Sequence, residues 1–588
     1  MKSFLKFTLA SIIGVLLSLF LVFIILLGIV SAASMEKPLE IAPHTVLLAN
    51  FDVPIVDRDP ENPFASFDFM NFTGTGGMGL NQILTNIDKA SKDENIDGIF
   101  MDLSTVSSGI ASIEEIRNAL IKFKESGKFI IAHADYYTQG AYYLASVADS
   151  IYLTPEGQVM WLGLSAEPLF FKRALEKLGI DAQIIRAGEY KSAAEPLMYE
   201  KLSTENRAQI SAYMSSIWGT IVNNIAKSRN IDAAGLNRMA DEMLINNASS
   251  ALEYKLVDGL KYFDEILSEL KILTSTEEKK NLSSVNLKKY TKVPKIQAEK
   301  KAIVRDKIAV IYAGGTIVTG DGSDGNMGSD KIAKTIREAR RDSSIKAIVL
   351  RVNSGGGSAL ASEIIWREVK LASEVKPLIA SLGDVAASGG YYIVAPASKI
   401  IASPNTITGS IGVIGLLPNF KVFMNDKLGI TTDVVNTNEH SDLGSVYRPL
   451  KPEEMAIIQN EVMNTYKTFT SRVAEGRNLS IEQVDKIGRG HVYSASDAKE
   501  IGLVDDFGGL TRAIEIAAEE ANLVDYRIVD FPKLEDPFDA IVRQLSGDVR
   551  IQMIQKELGA DYKYYKQLQT IKSMKGIQAI MPFEIELF

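Results

Sequence analysis

The sequence predicts a mixed α/β protein: two tandem repeats behind a single N-terminal membrane helix. Three observations carry that reading. A long uncharged run opens the chain, the remainder matches itself at an offset near 249 residues, and each half alternates β-rich runs with helical patterns. With 588 residues the chain is too long for one compact core and sufficient for two to four domains.

Phe7 to Met35 is a run of 29 residues without a charge, dense in Leu, Ile, Val and Phe. At about 1.5 Å of rise per residue, roughly 20 residues cross a hydrocarbon core. Lys2 and Lys6 precede the run, and Glu36, Lys37 and Glu40 follow it. The positive-inside rule puts the N-terminus in the cytoplasm and the body outside. A cleaved signal peptide, with Ser31 and Ala33 before the cut, is the rival reading. Signal h-regions usually span about 7–15 residues, and this run is about twice that. Residues 1–36 are therefore expected to be an uncleaved anchor.

The repeat is read by self-comparison. At an offset of 249, Asn95–Met101 aligns with Ser344–Leu350, and Gly140–Leu144 with Gly389–Ile393. Lys177–Ile180 matches Lys427–Ile430 at 250, and Leu256–Gly259 matches Leu503–Asp506 at 247. The two repeats are placed at 45–275 and 306–525. Between them, 276–305 reads as an exposed linker, because Glu277–Lys301 carries eight lysines and few large apolar residues. Residues 530–588 have no visible counterpart and are expected to form a mixed, mainly helical tail. In the second repeat, Lys307–Tyr312, Ala347–Val352 and Pro377–Ser381 read as strands, with Asp330–Arg341 and Ser358–Ala372 as helices. That alternation argues for parallel βαβ units. Apolar strands such as Ala347–Leu350 suit a sheet covered on both faces.

Composition excludes several functions. There are no cysteines, which removes disulfides, thiolate metal sites and cysteine nucleophiles. The four histidines (His44, His133, His440 and His491) are scattered, so no paired-histidine metal helix exists. A net charge of −9 argues against a nucleic-acid partner. No metal and no cofactor is expected.

Chemistry is sought where the repeats differ. After a strand, Asn353–Ser358 reads NSGGGS, where the first repeat has STVSSG at Ser104–Gly109. Such glycines bare N–H groups suited to a phosphate or an oxyanion, although a plain strand-to-helix turn would also use them. Ser388 follows a strand and precedes an apolar helix, with Gln139 at the matching place. It reads either as a nucleophile on a sharp turn or as a helix cap. A serine nucleophile needs a base. His440 is one candidate. Lys191, which stands where the second repeat has Ser441, is another, if burial lowers its pKa.

With those residues in view, the chain resembles the signal peptide peptidase A (protease IV) family, membrane-anchored serine proteases, in its long double-domain form. The resemblance rests on RVNSGGGS (351–358), GDVAASGGYY (383–392), TGSIGV (408–413) and GEYKSAAEP (188–196). It implies two ClpP/crotonase-like domains and a Ser/Lys dyad split between them. Ser388 would be the nucleophile, Lys191 the general base and Ser410 the residue orienting the lysine. Backbone N–H groups of Gly389 and Gly357 would form the oxyanion hole. Gly355 departs from the family, which usually has proline there. The implied function is degradation of cleaved signal peptides and similar hydrophobic peptides by a body on the extracytoplasmic (periplasmic) side of the inner membrane. The implied assembly is a ring-like homo-oligomer, with a tetramer as its expected size. The rival functions are an acyl-CoA hydratase or thioesterase on the same superfold, and a membrane scaffold with a dead site.

Overall fold

The computed structural model describes residues 6–8, 10–18, 20–21, 39–59, 77–294, 304–322, 325–533 and 577–581, and the backbone of 67–68 and 73–74. The described part of the expected anchor is helical, and residues 22–38 lie outside the described residues. Among the described residues, no helix is long and apolar enough to cross a membrane.

Each half is a parallel sheet. In the first, the strand order is Gly259–Leu260, Ser150–Val159, Phe129–Tyr137, Ile96–Asp102, Thr45–Leu48 and Ser284–Asn286. In the second, Ile407–Gly409, Leu378–Ala387, Ile345–Ser354, Lys307–Gly314 and Arg527–Phe531 follow one another in parallel, with Val492–Ser494 antiparallel on the edge. Both faces are covered, as the apolar strands require. Ile308, Val310, Ala347 and Val349 pack under Leu510–Glu520 on one face. Ala309, Ile311, Ile348 and Leu350 join the main core on the other. Each large aliphatic side chain buried in this way contributes about 1.5–3 kcal/mol.

The repeat extends further than the sequence suggests. Ser284–Asn286 pairs with Thr45–Leu48 just as Arg527–Phe531 pairs with Lys307–Gly314. The expected linker therefore donates an edge strand, followed by a short helix at Leu287–Tyr290 whose Leu287 and Tyr290 are buried. Its lysines Lys288 and Lys289 are exposed on an ordered element, which is why composition alone reads it as a connection. Of the expected tail, the first residues complete the strand Arg527–Phe531 and Ile577–Ile580 is a further strand; residues 534–576 and 582–588, on which the helical expectation mainly falls, lie outside the described residues.

A third sheet joins the halves. Its order is Asn326–Gly328, Thr316–Val318, Gly356–Ser358, Ile577–Ile580, Val413–Asn419 and Asp181–Ala187. Asp181–Ala187 of the first half runs antiparallel to Val413–Asn419 of the second, from Val413↔Ala187 to Asn419↔Asp181. That pairing delivers the loop after Ala187 to the second half. A buried ionic cluster locks the same interface. Arg351 meets Asp57 at 2.6 Å and Glu115 at 2.7 Å. Asp384 accepts from the Ser112 amide at 2.9 Å and its hydroxyl at 2.7 Å. Removing one partner of such a buried ion pair costs about 3–5 kcal/mol.

Candidate active site

The lysine loop lies between the strand Asp181–Ala187 and the helix Glu195–Met198. Two buried side chains fix it. Glu195 accepts from the Asn206 amide at 2.8 Å and the Ser203 hydroxyl at 2.5 Å. Gln209 donates to the Tyr190 carbonyl at 3.1 Å and to Ser192 Oγ at 2.9 Å, and it accepts from the Val492 amide at 3.1 Å. Gln209 thus ties the loop to the second half. Tyr190 N also donates to the Arg489 carbonyl at 3.0 Å.

This scaffold seals Lys191, which is 0 % exposed. Its Nζ donates to Ser388 Oγ at 2.7 Å, to Ser410 Oγ at 2.9 Å and to the Ser410 carbonyl at 3.0 Å. Burial alone drives its pKa well below the ordinary lysine value. No ion pair to it exists among the described residues, so no opposite charge offsets the burial of an ammonium there.

Ser388 ends the strand Leu378–Ala387 and precedes the helix Gly389–Val394. Its side chain makes no capping hydrogen bond, so the cap reading does not account for it. Its backbone sits at φ 56° and ψ −118°. A non-glycine residue held there stores on the order of 1–3 kcal/mol, and the amide bond from Ser388 to the Gly409 carbonyl at 2.8 Å helps to hold it. Small residues must follow: a Cβ on Gly390 would stand 2.4 Å from the Ser354 carbonyl oxygen. Ser410, also left-handed at φ 52°, is fixed through its amide to the His491 carbonyl at 2.6 Å.

The glycine loop becomes the short strand Gly356–Ser358. Gly356 and Gly357 have φ of 100° and 156°, values that favour glycine. Gly355 is not among the positive-φ residues, so the position where the family usually has proline keeps a backbone that does not need glycine. A Cβ on Gly356 would stand 2.7 Å from the Gly389 amide nitrogen, which puts the two glycine segments side by side.

Lys191, Ser388, Ser410, Gly389 and Gly357 therefore converge from both repeats. His440 does not join them. It sits on Glu454 at 3.5 Å, in an exposed segment, because the described residues 431–437, the counterpart of Asp181–Ala187, form no strand. Ser441 likewise lies in an exposed turn, bonded to Asn438. The histidine that does reach the site is His491. Its ring lies between Tyr190 and Tyr493, with centroids 4.5 and 4.2 Å away, and burial lowers its pKa. Sequence spacing carries no signal for His491 or Gln209; only the strand pairing between halves brings them in. No group of residues able to hold a metal occurs among the described residues.

Comparison with known proteins decides the family. The model of peptidase family S49 matches twice, at residues 122–277 and 370–524, together more than half of the chain. The chain belongs to peptidase family S49. A serine protease SPPA of Arabidopsis thaliana chloroplasts is 33 % identical over 515 residues, covering 86 % of this chain and 74 % of that one. Protease 4 of Salmonella typhi is 36 % identical over 482 residues, covering 80 % and 76 %. Protease 4 of Haemophilus influenzae is 38 % identical over 453 residues, covering 74 % and 72 %. The chain is thus an S49 serine protease of the SppA/protease 4 kind, and the acyl-CoA readings fall away. A solved structure of a ClpP1 mutant from Listeria monocytogenes covers 35 % of this chain and 94 % of its own, with 17 % identity and a TM-score of 0.24.

Proposed function

We propose that this S49 protease hydrolyses peptides through an acyl-enzyme on Ser388, with Lys191 as general base. The observation that carries the reading is the 2.7 Å contact between a fully buried lysine amine and the Ser388 hydroxyl. A neutral amine takes the Ser388 proton as Oγ attacks the peptide carbonyl. Ser410, through its hydroxyl and carbonyl, holds the amine in line. The N–H groups of Gly389 and Gly357 face the developing oxyanion. The resulting ammonium protonates the leaving amine, and water, deprotonated by the same lysine, releases the acid. Each half is chemically incomplete, since the first lacks the serine and the second lacks the lysine. Hydrolysis of soluble peptides by the wild type, lost in both Ser388→Ala and Lys191→Ala chains that remain folded, tests this. Turnover persisting in either variant overturns it.

The substrates we infer are cleaved signal peptides and similar hydrophobic peptides, met at the membrane by a body tethered through residues 7–35 on the extracytoplasmic side. A chain lacking residues 1–40 should be soluble and still cleave short peptides, because the tether contributes no catalytic group. Copies are proposed to assemble head to tail into a ring, with four as the expected number. Repeat equivalence supports this. The partners of the Asp181–Ala187/Val413–Asn419 pairing correspond to 431–437 and 164–170. Neither segment has a strand partner among the described residues, and Val435 is 97 % and Leu169 50 % exposed. Crosslinks between these two segments of different copies are the expected result.

A further inference from the structure

Lys191 lies in a slot between two glycines. A Cβ on Gly490 would stand 2.5 Å from Lys191 N, and one on Gly412 would stand 3.1 Å from Lys191 Cδ. The segment that brings Gly490 there has an unfavourable backbone, with Arg489 at φ 52° and Gly490 at φ 85°. Such a conformation persists only where its surroundings over-determine it. His491 ends the segment and reaches both sides of the site. Its amide donates to the Gly488 carbonyl at 2.9 Å, and its carbonyl accepts from the Ser410 amide at 2.6 Å. Its ring lies 4.5 Å from that of Tyr190, the neighbour of Lys191, and stacks at 4.2 Å and 25° on Tyr493. Tyr493 is pinned in turn. It pairs with Thr408 in the sheet, and its hydroxyl donates to the Ile487 carbonyl at 2.9 Å.

Repeat comparison separates these rings from the turn that carries them. At the offset of 247 that aligns Leu256 with Leu503, Gly490, His491 and Tyr493 correspond to Met243, Leu244 and Asn246. Met243 keeps the left-handed turn, at φ 51°, with its side chain 63 % exposed. The turn is thus common to both repeats, whereas the glycine and the two rings occur only beside Ser388.

We propose that His491 is a positioning residue of this protease: its ring, clamped between Tyr190 of the first half and Tyr493 of the second, locks the lysine loop to the Gly488–His491 wall and so keeps the Lys191 amine on Ser388 and out of water. The inference rests on the reading of Lys191 as the base. The ring acts through Tyr190 and through the backbone that holds Ser410, by aromatic contacts whose geometry is specific. Burial alone depresses the amine, so an opened seam admits water and returns Lys191 toward the ordinary lysine value. Tyr190, Tyr493 and, from the helix Ala495–Glu500, Asp497 surround the imidazole. Its own pKa is lowered by burial, so it stays neutral above about pH 7 and the response of Lys191 is read there without titrating the ring.

The test compares His491→Ala, His491→Phe and Tyr190→Ala with wild type, by kcat, KM and the pH profile of kcat/KM on a soluble peptide. His491→Ala should lower kcat about thirtyfold with KM within about twofold. Its profile should move about one pH unit to the alkaline side, as water reaches the amine. His491→Phe keeps a ring in the clamp and should stay within about threefold of wild type, with an unmoved profile. Tyr190→Ala should reproduce His491→Ala from the other side, and the double variant should be little worse than either, since both remove one contact. Wild-type kcat and profile in folded His491→Ala protein overturn the proposal. So does a loss confined to KM, which would put the ring on the substrate, or a His491→Phe protein as impaired as His491→Ala, which would give the imidazole a chemical role. Loss of fold in both His491→Ala and Tyr190→Ala also overturns it, by making the stack a folding element. Lys191→Ala, run in parallel, keeps the two readings apart: turnover persisting there removes the base itself, whereas a dead Lys191→Ala beside an unimpaired His491→Ala removes only the positioning role.

Discussion

Gly490→Ala tests whether the seat of the lysine matters. Gly490 has φ 85°, and its amide donates to the Ile411 carbonyl at 2.7 Å, so the backbone there cannot swing freely. A Cβ would stand 2.5 Å from Lys191 N and 2.6 Å from both Cα and Cβ of Lys191. Ordinary carbon contacts are about 3.5–4.0 Å, so the lysine backbone must retreat by about 1 Å. A 1 Å misplacement of a catalytic group costs about 10²-fold, equivalent to about 2.7 kcal/mol in kcat/KM. Gly502→Ala separates this from backbone strain. Gly502 has a similar φ of 80° but open space around its Cβ, so it carries only the left-handed cost of about 1–2 kcal/mol in stability. The assay is kcat/KM on a soluble peptide, with circular dichroism to confirm the fold. Gly490→Ala should lose about a hundredfold, and Gly502→Ala should stay within about threefold of wild type. Activity within about threefold of wild type in a folded Gly490→Ala protein refutes the reasoning.

The other predictions concern protons and hydrogen bonds. Lys191 is depressed by burial, so the neutral base accumulates as pH rises through its pKa; log kcat/KM should climb with unit slope and level off below about pH 10.4, the value of an ordinary lysine. An undepressed lysine would leave only about 1 in 2,500 molecules neutral at pH 7 and a rate still rising about tenfold per unit at pH 9. Lys191→Arg should be inactive at every pH measured, because guanidinium stays protonated. Ser410→Ala removes one of three acceptors around Nζ, and a lost bond of about 1–1.5 kcal/mol predicts about a tenfold fall in kcat/KM. His440→Ala should cost less than about tenfold, since the ring touches Glu454 and neither Ser388 nor Lys191.

Local signals carried most of this architecture. The apolar runs from Ala347 and Pro377 became the longer strands Ile345–Ser354 and Leu378–Ala387, because period and burial are written into consecutive residues. Repeat comparison exposed Ser388 and Lys191 as the unshared residues. Three features were not legible. Ser284–Asn286 is three residues long and set among lysines, so it has no pattern of its own and is a strand only through Thr45–Leu48. Ile577–Ile580 depends wholly on partners far away in the chain, Gly356–Ser358 and Val413–Asn419. The repeat also breaks where it matters most. Asp181–Ala187 is a strand because Val413–Asn419 receives it, and its counterpart at 431–437 finds no such partner among the described residues. Equivalence therefore placed His440 beside the lysine's position, and the fold put His491 at the site instead.

The most direct measurement is labelling by a serine-reactive fluorophosphonate, with the modified residue mapped by mass spectrometry. The account predicts a single label on Ser388, strongly slowed in Lys191→Met protein of unchanged fold, because the probe reports the nucleophilicity that the buried amine confers. No label on folded wild-type protein would favour a dead-site scaffold, and equal labelling in the Lys191→Met protein would remove the lysine from the mechanism.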